Sequence, residues 1–247
     1  MEDFLNSWYG VAIILTFDFV ALLAVVCLTY RWFFKRVFDV VVSSVCLLFT
    51  SPLFLTVFIR ANKFKKENDG VMESIYEKEI RVGKKEKVVL LNKFKSRDND
   101  GELLGRYGRW LEAYKLCNLP KLVDVFMGKL SFIGVKPMLR SEAEFVEDEV
   151  EKDRFTIRPG LINPLVCVGD ENTTFEEMLL QDRKYAWRFS FFGDCKIFFA
   201  WLLNKIRGNS NAYLGETLGS YAKYLLDNEQ ITQDDYTVAC ELDNSIE

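Results

Sequence analysis

The chain begins with two long apolar stretches that a short basic stretch separates. Residues 9–30 contain one charged residue, Asp18, and a helix of this length, at about 1.5 Å per residue, crosses a hydrocarbon core of roughly 30 Å. Acidic residues and no lysine or arginine precede it, whereas a secretory signal begins with a basic region. Because a basic cluster follows at 31–36 and basic residues prefer the cytoplasmic side, we expect residues 1–32 to form a transmembrane helix running from outside to inside.

The second apolar stretch, residues 37–59, is charged only at Asp39 and has basic clusters on both sides. An ordinary span would place one of these clusters outside the cell, against the positive-inside preference. Pro52, near the middle, removes a backbone donor, and the Ser51 hydroxyl can satisfy a backbone group that a break would free. We therefore predict that residues 33–60 form a helix–break–helix that enters the membrane and returns to the same face; the alternative is a kinked spanning helix.

Beyond residue 60 the pattern is that of a small soluble domain, which we place at 61–208, followed by a tail at 209–247. Alternating apolar residues over 80–94, around a turn at Gly83-Lys84-Lys85, predict a short β-hairpin. Further predicted elements are helices at 109–127 (interrupted at Pro120), 141–153 and 173–207, a loop at 131–137 and a turn at 158–160.

The end of the last predicted helix mixes aromatic and basic side chains, which is typical of a helix lying in a membrane interface, although a buried core helix fits this segment equally well. Together these patterns predict a helix-rich α+β fold. It would combine a re-entrant membrane helix with a small cytosolic domain that has interfacial amphipathic helices and a short β-hairpin, and it would carry an extra N-terminal transmembrane helix.

Composition narrows the chemistry that the chain can perform. The 247 residues include no histidine, which excludes Ser-His-Asp triads, Cys-His dyads and imidazole metal ligands. None of the six cysteines stands in CxxC spacing, so neither a zinc site nor an iron–sulfur cluster is expected. The tail at 209–247 holds one lysine and eight carboxylates. We expect much of it to be solvated and disordered, with partner binding as the alternative.

A series of short motifs runs through the chain from Lys35 to Gly208. They are KRVFD at 35–39, Ser51-Pro52, RVG at 81–83, KFKS at 93–96, GRWL at 108–111, LPKL at 119–122, GKLSFIG at 128–134, VKP at 135–137, RPG at 158–160, and Asp182 with Tyr185. In this order they resemble the motifs of the bacterial sugar transferases, the monotopic polyprenyl-phosphate phosphoglycosyltransferases.

The resemblance implies a mechanism for the active members of that family. An aspartate attacks the β-phosphate of a UDP-sugar with the help of Mg²⁺, UMP leaves, and polyprenyl phosphate takes the phosphosugar from the enzyme. The aspartate and a neighbouring glutamate belong to a motif LDELPQL. A carboxylate that attacks a dianionic diphosphate needs a hard cation, held by oxygen ligands, to screen the charge.

This chain departs from the family pattern at that point. Cys117 and Asn118 occupy the two carboxylate positions; a thiol is a soft ligand for Mg²⁺, and an amide is not a base. Lys136, before Pro137, stands where the family has an arginine, so a point charge replaces a bidentate fork. The glycines, prolines and apolar positions still match, so we predict the family fold and assign no catalytic residue.

The resemblance also implies residues that would face substrate or phosphate. They are Lys93, Lys95, Arg109, Lys136, Pro137, Arg158 and Asp182. For each cation the alternative is an ordinary surface residue, and Asp182 is expected to orient an arginine and not to bind a metal. Ser51 and Pro52 are implied as the break in the membrane helix.

We therefore predict a catalytically inactive membrane protein with the phosphoglycosyltransferase fold, which partners or regulates an active homologue in polyprenyl-linked glycoconjugate or polysaccharide assembly. The alternative is an active transferase that moves a phosphosugar from a UDP-sugar to polyprenyl phosphate with non-standard residues. In that case the nucleophile would be Cys117, activated by Lys115, or a relocated carboxylate at Asp124.

The expected partners are membrane lipid and an active homologous subunit in a hetero-oligomer. Polyprenyl phosphate and a UDP-sugar are further candidate ligands, and no nucleic acid is expected. No metal or cofactor is expected, and only the active alternative requires Mg²⁺. The predicted location is the bacterial inner (cytoplasmic) membrane, with the bulk facing the cytoplasm. Asp18 either contacts a partner helix or lies near water in a tilted helix.

Overall fold

The computed structural model describes residues 7–68, 72, 74–98, 101–146, 151–168, 173–207 and 220–243. The helices are α1 (Trp8–Thr29), α2 (Lys35–Glu67), α3 (Gly105–Ala113), α4 (Lys121–Met127), α5 (Arg140–Glu144), α6 (Phe175–Arg188), α7 (Phe191–Ile206), α8 (Tyr221–Asp227) and α9 (Gln233–Leu242). The strands are β1 (Tyr76–Val82), β2 (Val88–Phe94), β3 (Ser131–Ile133) and β4 (Gly160–Ile162). This helix-rich α+β architecture confirms the predicted fold class.

Among the described residues, two helices are long and apolar enough to cross a membrane: the most apolar 18-residue stretch has a mean hydropathy of 2.8 in α1 and of 2.2 in α2. The large side chains of α1 are exposed, among them Phe17 and Leu28. A helix that is apolar and uncovered on all sides suits lipid better than water. A π-helical turn, Tyr30–Phe34, joins α1 to α2 with no intervening loop.

Helix α2 runs without interruption through Pro52, which differs from the predicted division into two helices. Pro52 has no backbone N–H to donate to the carbonyl of Leu48. The hydroxyl of Ser51 donates to that carbonyl at 2.8 Å. The serine thus supplies the hydrogen bond that the proline cannot make, and the helix continues through this point.

Both halves of α2 pack on the same protein body. In the first half, Phe38, Val42 and Cys46 contact the core cluster that includes Val125 and Ile133. In the second half, Val57 and Ala61 are completely buried in a different cluster, whose other members are Met72, Phe94, Leu104, Tyr107 and Leu111. Between the two halves, Leu48 and Phe49 are 73% and 76% exposed, so an uncovered apolar segment lies between two anchored ends.

The predicted hairpin is confirmed. Strands β1 and β2 pair antiparallel from Tyr76 opposite Phe94 to Val82 opposite Val88. Side chains of alternate residues in such a pair lie on the same face. Glu77, Glu79 and Arg81 of β1 therefore lie on one face of the hairpin. Lys93 of β2 stands opposite Glu77 and lies on the same face.

The predicted loop at 131–137 and turn at 158–160 contain strands instead. Ser131 of β3 stands opposite Gly160 of β4, and Ile133 stands opposite Ile162, in a parallel pair. Such short strands have no local signal of their own, because each depends on a partner far away in the chain. A Cβ atom at Gly160 would overlap the backbone of Gly134, so the close approach of these two segments requires glycine.

The predicted helices exist with changed boundaries. The segment 109–127 forms α3, a 3₁₀ turn at Leu116–Asn118, and α4, which begins directly after Pro120. The predicted acidic helix at 141–153 is reduced to α5 and a 3₁₀ segment at Glu151–Thr156, and residues 147–150 lie outside the described residues. The predicted helix at 173–207 consists of α6 and α7, with Ser190 as the N-cap residue of α7.

Part of the acidic tail is folded onto the body, which corrects the expectation of a solvated tail for residues 220–243. Tyr221 and Leu225 of α8 are buried in the core cluster that contains Phe175 and Met178. Ser141 donates through its backbone N–H and its hydroxyl to the carboxylate of Asp243, at 2.9 and 2.6 Å. The rest of that prediction, for 209–219 and 244–247, lies outside the described residues.

Candidate functional site

The hairpin and the start of α4 bring a set of charged side chains together beside Cys117. The carboxylate of Glu79 forms ion pairs with Lys121 at 2.8 Å, with Lys93 at 3.3 Å and with Arg81 at 3.7 Å. The Glu79 side chain is 16% exposed. Burial works against its ionised form, but the charges of Lys121, Arg81 and Lys93 outweigh burial and lower the pKa of Glu79 to about 2.

Cys117 is 3% exposed and lies in the 3₁₀ turn between α3 and α4. The residue before that turn, Lys115, has a left-handed backbone with φ of 55°, which redirects the chain after α3. Burial works against the charged form of Lys93, but Glu79, Cys117 and Glu77 together outweigh it and raise the pKa of Lys93. Cys117 therefore shares the electrostatic environment of Lys93 and Glu79.

The donor groups of this site do not fit a magnesium ion. The described part of the chain contains no group of three or more cysteine, aspartate or glutamate residues that could hold a metal ion. Cys117 offers a soft sulfur and Asn118 an uncharged amide, whereas Mg²⁺ prefers carboxylate oxygens. The carboxylate of Glu79 already pairs with three cations.

A second buried set of charges centres on Asp182. Nη2 of Arg154 lies 2.9 Å from Oδ2 of Asp182, and the two side chains are 1% and 0% exposed. Nη2 of Arg154 also donates to the carbonyl of Lys136 at 2.7 Å. Burial raises the pKa of Asp182 to about 6, against the opposing charges of Arg154 and Lys136. Asp182 thus pairs with an arginine in this structure.

Lys136 and Arg81 connect the two sets. Burial lowers the pKa of Lys136; Glu142 opposes this, while Arg81 and Arg154 add to it by repulsion. Arg81 also pairs with Glu79. We call the five basic residues of this region the cationic cluster; its members are Arg81, Lys93, Lys121, Lys136 and Arg154.

A separate group of cations lines a cleft at the junction of α1 and α2, which we call the juxtamembrane cleft. Its basic residues are Arg31, Lys35, Arg36, Lys84 and Arg158, and its volume is about 80 Å³. Several water molecules, or one group of phosphate size, fit into this space.

The cations of the juxtamembrane cleft differ in their partners. Lys35 pairs with Asp194 at 2.5 Å, and the same carboxylate accepts the hydroxyls of Tyr30 and Tyr185 at 2.6 and 2.7 Å. In contrast, the side chains of Arg158 and Lys84 make no hydrogen bond or ion pair with any described residue. Two cations of the cleft are therefore available to an anion from outside the chain.

Arg31 and Arg36 bind backbone carbonyl groups of the body. Arg31 donates to the carbonyls of Trp187 and Ala186 at 2.8 and 3.1 Å. Arg36 donates to those of Val125 and Phe126 at 2.7 and 2.6 Å. The basic stretch between the two apolar helices thus fastens them to the body.

The other residues that the sequence singled out lie apart from these sites or are used elsewhere. Arg109 is exposed on α3, Lys95 is half-buried after β2, and Pro137 is half-buried in the loop after Lys136. None of the contacts of the described residues brings Arg109 into the cationic cluster.

Asp124, the candidate for a relocated carboxylate, is fully buried and has a structural role. It accepts the backbone N–H and the side-chain amide of Asn92, at 2.7 and 2.6 Å, and pairs with Lys129 at 3.1 Å. A carboxylate with these partners joins β2 to α4 and is not free to attack a substrate.

Reasoning from the sequence missed Glu79, Lys121, Arg81 and Arg154. One signal was present: in the alternating pattern of β1, charged residues fall at positions 77, 79 and 81, on one face of a strand with a lysine opposite. A charge repeated every second residue in a hairpin indicates a charged face. Lys121 and Arg154 carry no such local signal.

Comparison with known proteins gives a consistent result. The family model described as "Bacterial sugar transferase" matches residues 30–208. The exopolysaccharide production protein ExoY of Rhizobium meliloti is 26% identical over 192 residues, which cover 67% of this chain and 82% of that protein. The uncharacterized sugar transferase EpsL of Bacillus subtilis is 27% identical over 173 residues, which cover 66% and 82%.

A larger relative matches over less than half of its length. The UDP-glucose:undecaprenyl-phosphate glucose-1-phosphate transferase of Klebsiella pneumoniae is 27% identical over 201 residues, which cover 73% of this chain and 41% of that protein. The family match begins at the π-helical turn after α1 and ends before α8. Helices α1, α8 and α9 therefore lie outside the region that the family model matches.

Proposed function

The chain belongs to the bacterial sugar transferase family, and from this premise we propose that it is a non-catalytic member which binds anionic ligands of the pathway and acts beside an active homologue. Membership of this family, whose relatives include a polyprenyl-phosphate sugar-phosphate transferase, follows from the comparisons. The non-catalytic role is a hypothesis that rests on Cys117, Asn118 and their surroundings.

One observation carries the proposal: the carboxylate next to the altered dyad is neutralised within the chain. Glu79 pairs with Lys121, Lys93 and Arg81, and its pKa is lowered to about 2 by these charges despite burial. A carboxylate stabilised in this way is a weak nucleophile. It would also have to leave three cations before it could coordinate a metal. This site therefore offers no replacement for a nucleophilic carboxylate and none for a carboxylate that coordinates a metal ion.

The chain associates with a membrane through its long apolar helices. We propose that this is the bacterial inner membrane, with the body on the cytoplasmic side, and that α2, although helical throughout, bends at Pro52 so that it enters the bilayer and returns. Two features support the re-entrant arrangement: both halves of α2 pack on one body, and the apolar residues between them, such as Leu48 and Phe49, are uncovered. A helix with both ends on one body brings them to the same side of a bilayer.

The proposed ligands are a lipid phosphate and a diphosphate. Relatives are named for activity on undecaprenyl phosphate and a UDP-sugar, and this supports the same ligand classes here. The juxtamembrane cleft, with the unpaired Arg158 and Lys84, suits a lipid phosphate. The cationic cluster suits the diphosphate of a nucleotide sugar. No nucleic acid, metal or other cofactor is part of the proposal.

Helix α1 supports the proposal of a partner subunit. Asp18 lies near the middle of this helix and is exposed, and a carboxylate at mid-membrane depth is costly unless another group contacts it. A partner that brings a basic or hydrogen-bonding side chain to this depth would satisfy Asp18. The family match does not include α1, so this contact would be specific to chains that carry the extra helix.

The alternative activity has one favourable observation. Cys117 shares the environment of the protonated Lys93, and a nearby cation stabilises a thiolate. An active enzyme would then use the sulfur as nucleophile toward the β-phosphate. The absence of fitting magnesium ligands among the described residues speaks for the non-catalytic function.

A turnover assay separates the two functions. The purified chain, with Mg²⁺, polyprenyl phosphate and a panel of UDP-sugars, is expected to release no UMP, while an active family member in the same detergent serves as the positive control. Steady release of UMP that disappears in Cys117→Ala would refute the non-catalytic function and establish the cysteine as the nucleophile.

The partner is tested by co-expression with a homologue that retains the Asp-Glu dyad. We expect the two chains to purify together in mild detergent, and Asp18→Leu to weaken the complex while the control Phe17→Leu, at the adjacent exposed position, does not. A chain that runs as a monomer, or binds only itself, would contradict the proposal.

The topology is tested by cysteine labelling. Residues 33 and 65 are expected to label from the same side of the membrane and the N-terminus from the other. Labelling of 33 and 65 from opposite sides would exclude a re-entrant α2.

A further inference from the structure

We propose that the groove between α6 and α7 is a binding site for one anionic phospholipid of the bilayer, of the phosphatidylglycerol class. The groove lies apart from the cationic cluster, and it borders the juxtamembrane cleft only at Tyr185, which lines both. The inference requires that the chain associates with a membrane. It does not depend on whether the chain is catalytic.

The outward face of α6 forms one wall of the groove. Leu180, Lys184 and Trp187 follow each other at helical spacing on this face. The first turns of α7 and the 3₁₀ turn Pro164–Cys167 complete the lining. The volume of the groove is about 680 Å³, which is in the usual range for sites that hold organic ligands.

The charge of the groove is one-sided. Four of its described lining residues are cationic and none carries a carboxylate; the cations are Arg183, Lys184, Arg188 and Lys196. Lys184, Arg188 and Lys196 are exposed and form no hydrogen bond or ion pair with any described residue. Because these three charges lie on both walls, the groove attracts an anion that can contact α6 and α7 together.

Apolar side chains stand between these cations. Val168, Leu180 and Trp187 are exposed in the groove. The indole of Trp187 has a fixed orientation: its Nε1 donates to Asp153 at 2.7 Å, and the guanidinium of Arg183 lies 5.6 Å from the centre of its ring. Cations interleaved with uncovered apolar side chains suit a ligand that is itself amphipathic better than a small soluble anion.

The groove lies where the membrane helices meet the body. Arg31, in the turn between α1 and α2, donates to the carbonyls of Trp187 and Ala186, and its guanidinium lies 4.7 Å from the centre of the Phe189 ring. Helix α7 continues from the groove with an exposed apolar stripe; its members are Phe192, Phe199, Leu203 and Ile206. A surface at this position meets phospholipids, so the bilayer is the source of the ligand.

The excess of positive charge selects among phospholipids. An anionic lipid brings one net negative charge to Lys184, Arg188 and Lys196. A zwitterionic lipid brings its own cation, which these three side chains repel. The apolar part of either lipid can lie against Trp187 and Leu180, so the headgroup decides the preference and the apolar wall favours a lipid over a free phosphate ester.

The test is a titration of the full-length chain in detergent with phosphatidylglycerol and with phosphatidylcholine of the same acyl chains. Native mass spectrometry counts the lipids bound to each chain. We expect one phosphatidylglycerol per chain, bound at least about tenfold more tightly than phosphatidylcholine. Lys184→Gln with Arg188→Gln is expected to weaken phosphatidylglycerol binding about tenfold and to leave phosphatidylcholine binding unchanged, because two cations near the headgroup are lost.

The matched control is Lys63→Gln with Lys66→Gln, the same loss of charge at exposed positions near the end of α2. It is expected to change phosphatidylglycerol binding less than about twofold. Equal weakening in the two double variants would overturn the inference, because it would show diffuse attraction of anionic lipid. Equal affinity for the two lipids would also overturn it, as would displacement of the lipid by an equal concentration of glycerol 3-phosphate.

The outcome can be separated from that of the other proposals. Loss of phosphatidylglycerol binding in Arg158→Gln, but not in Lys184→Gln with Arg188→Gln, would place the lipid in the juxtamembrane cleft and refute the groove. Absence of UMP release together with absence of a phosphatidylglycerol preference would refute this inference and leave the non-catalytic function intact. UMP release together with the expected preference would do the reverse.

Discussion

In the juxtamembrane cleft, Arg158 and Lys84 have no ion-pair partner in the described part of the chain, whereas around Glu79 three cations share one carboxylate. Both regions belong to the span that matches the family. The juxtamembrane cleft keeps positive charge that an outside anion can use. Around Glu79, the carboxylate of the chain itself largely neutralises the positive charge. The two regions therefore need not have kept the same capacity for ligands.

The difference separates the two ligand classes that we propose for the chain. A cleft with free cations next to two apolar helices can still hold a lipid phosphate. Under the proposed function, a site whose carboxylate already pairs with three cations does not perform the chemistry that needs a free carboxylate and a hard metal ion. Each experiment below changes one charge or one hydrogen bond in or between these regions.

The largest effect is expected where a cleft cation has a structural role. Lys35→Met leaves the buried carboxylate of Asp194 without its cation, and we expect the free energy of unfolding in detergent to fall by about 3–5 kcal/mol. The control Lys63→Met removes an exposed pair with Glu67 and should cost at most about 0.5 kcal/mol. Equal effects of the two variants would show that Lys35 is a solvated cation like Lys63.

The next effect is a pH dependence that belongs to Glu79. Because its pKa in the folded chain is lowered from 4.5 to about 2, the ionised pair stabilises the fold above about pH 4.5, and this contribution is lost as the pH falls toward 2. The difference in unfolding free energy between wild type and Glu79→Gln should be about 2–3 kcal/mol at pH 6 and vanish near pH 2. A difference that is constant with pH would mean that Glu79 is not ionised in these pairs.

Arg158, one of the two unpaired cations of the cleft, should affect ligand binding more than stability. Arg158→Gln is expected to weaken binding to phosphatidylcholine vesicles containing a minor fraction of polyprenyl phosphate about tenfold, because a charge-assisted hydrogen bond is lost. Lys223→Gln, an exposed change on α8, serves as the control in a flotation assay. Equal binding by both variants would show that the lipid phosphate does not bind in the cleft.

The smallest effect concerns α2, whose two halves pack against different core clusters. Ser51→Ala removes the donor to the Leu48 carbonyl, which Pro52 cannot replace, and should lower the unfolding free energy by about 1 kcal/mol. In Ser44→Ala the Val40 carbonyl loses a serine hydroxyl but keeps its helical N–H donor, so the cost should be less than about 0.5 kcal/mol. If Ser44→Ala costs as much as Ser51→Ala, the Leu48 carbonyl does not depend on the serine hydroxyl more than any other helix carbonyl does.

The elements with a strong periodic pattern could be predicted from the sequence. The hairpin around Gly83 and the helical content of 173–207 follow from local periodicity, and the helix α1 follows from the length of an unbroken apolar stretch. The pair of short parallel strands could not be predicted, because Ser131 and Gly160 meet only in the folded chain. The fold of residues 220–243 was also missed, since its acidic composition hides the few apolar residues, such as Tyr221 and Leu225, that bury it.

The candidate site was predicted only in part. Cys117 and Asn118 could be singled out because a motif frames them, and Lys93 and Lys136 because their positions resemble phosphate-facing ones. Glu79 was missed: alternation in β1 places it on a charged face, but its pairing with Lys121, which is far from it in the chain, depends on the fold. Pairing between distant charges depends on the fold, so a sequence pattern gives the inventory of charges and not their partners.

The π-helical turn at Tyr30–Phe34 fixes the rotational phase of α1. Tyr30 and Lys35 both reach the carboxylate of Asp194, although side chains five residues apart diverge on a regular α-helix; a wider turn brings them back into line. Each residue of an α-helix contributes about 100° of rotation. Insertion or deletion of one residue between α1 and this turn would rotate the first helix about its axis and present Asp18 to a different neighbour, while Tyr30 and Lys35 keep their contacts with Asp194.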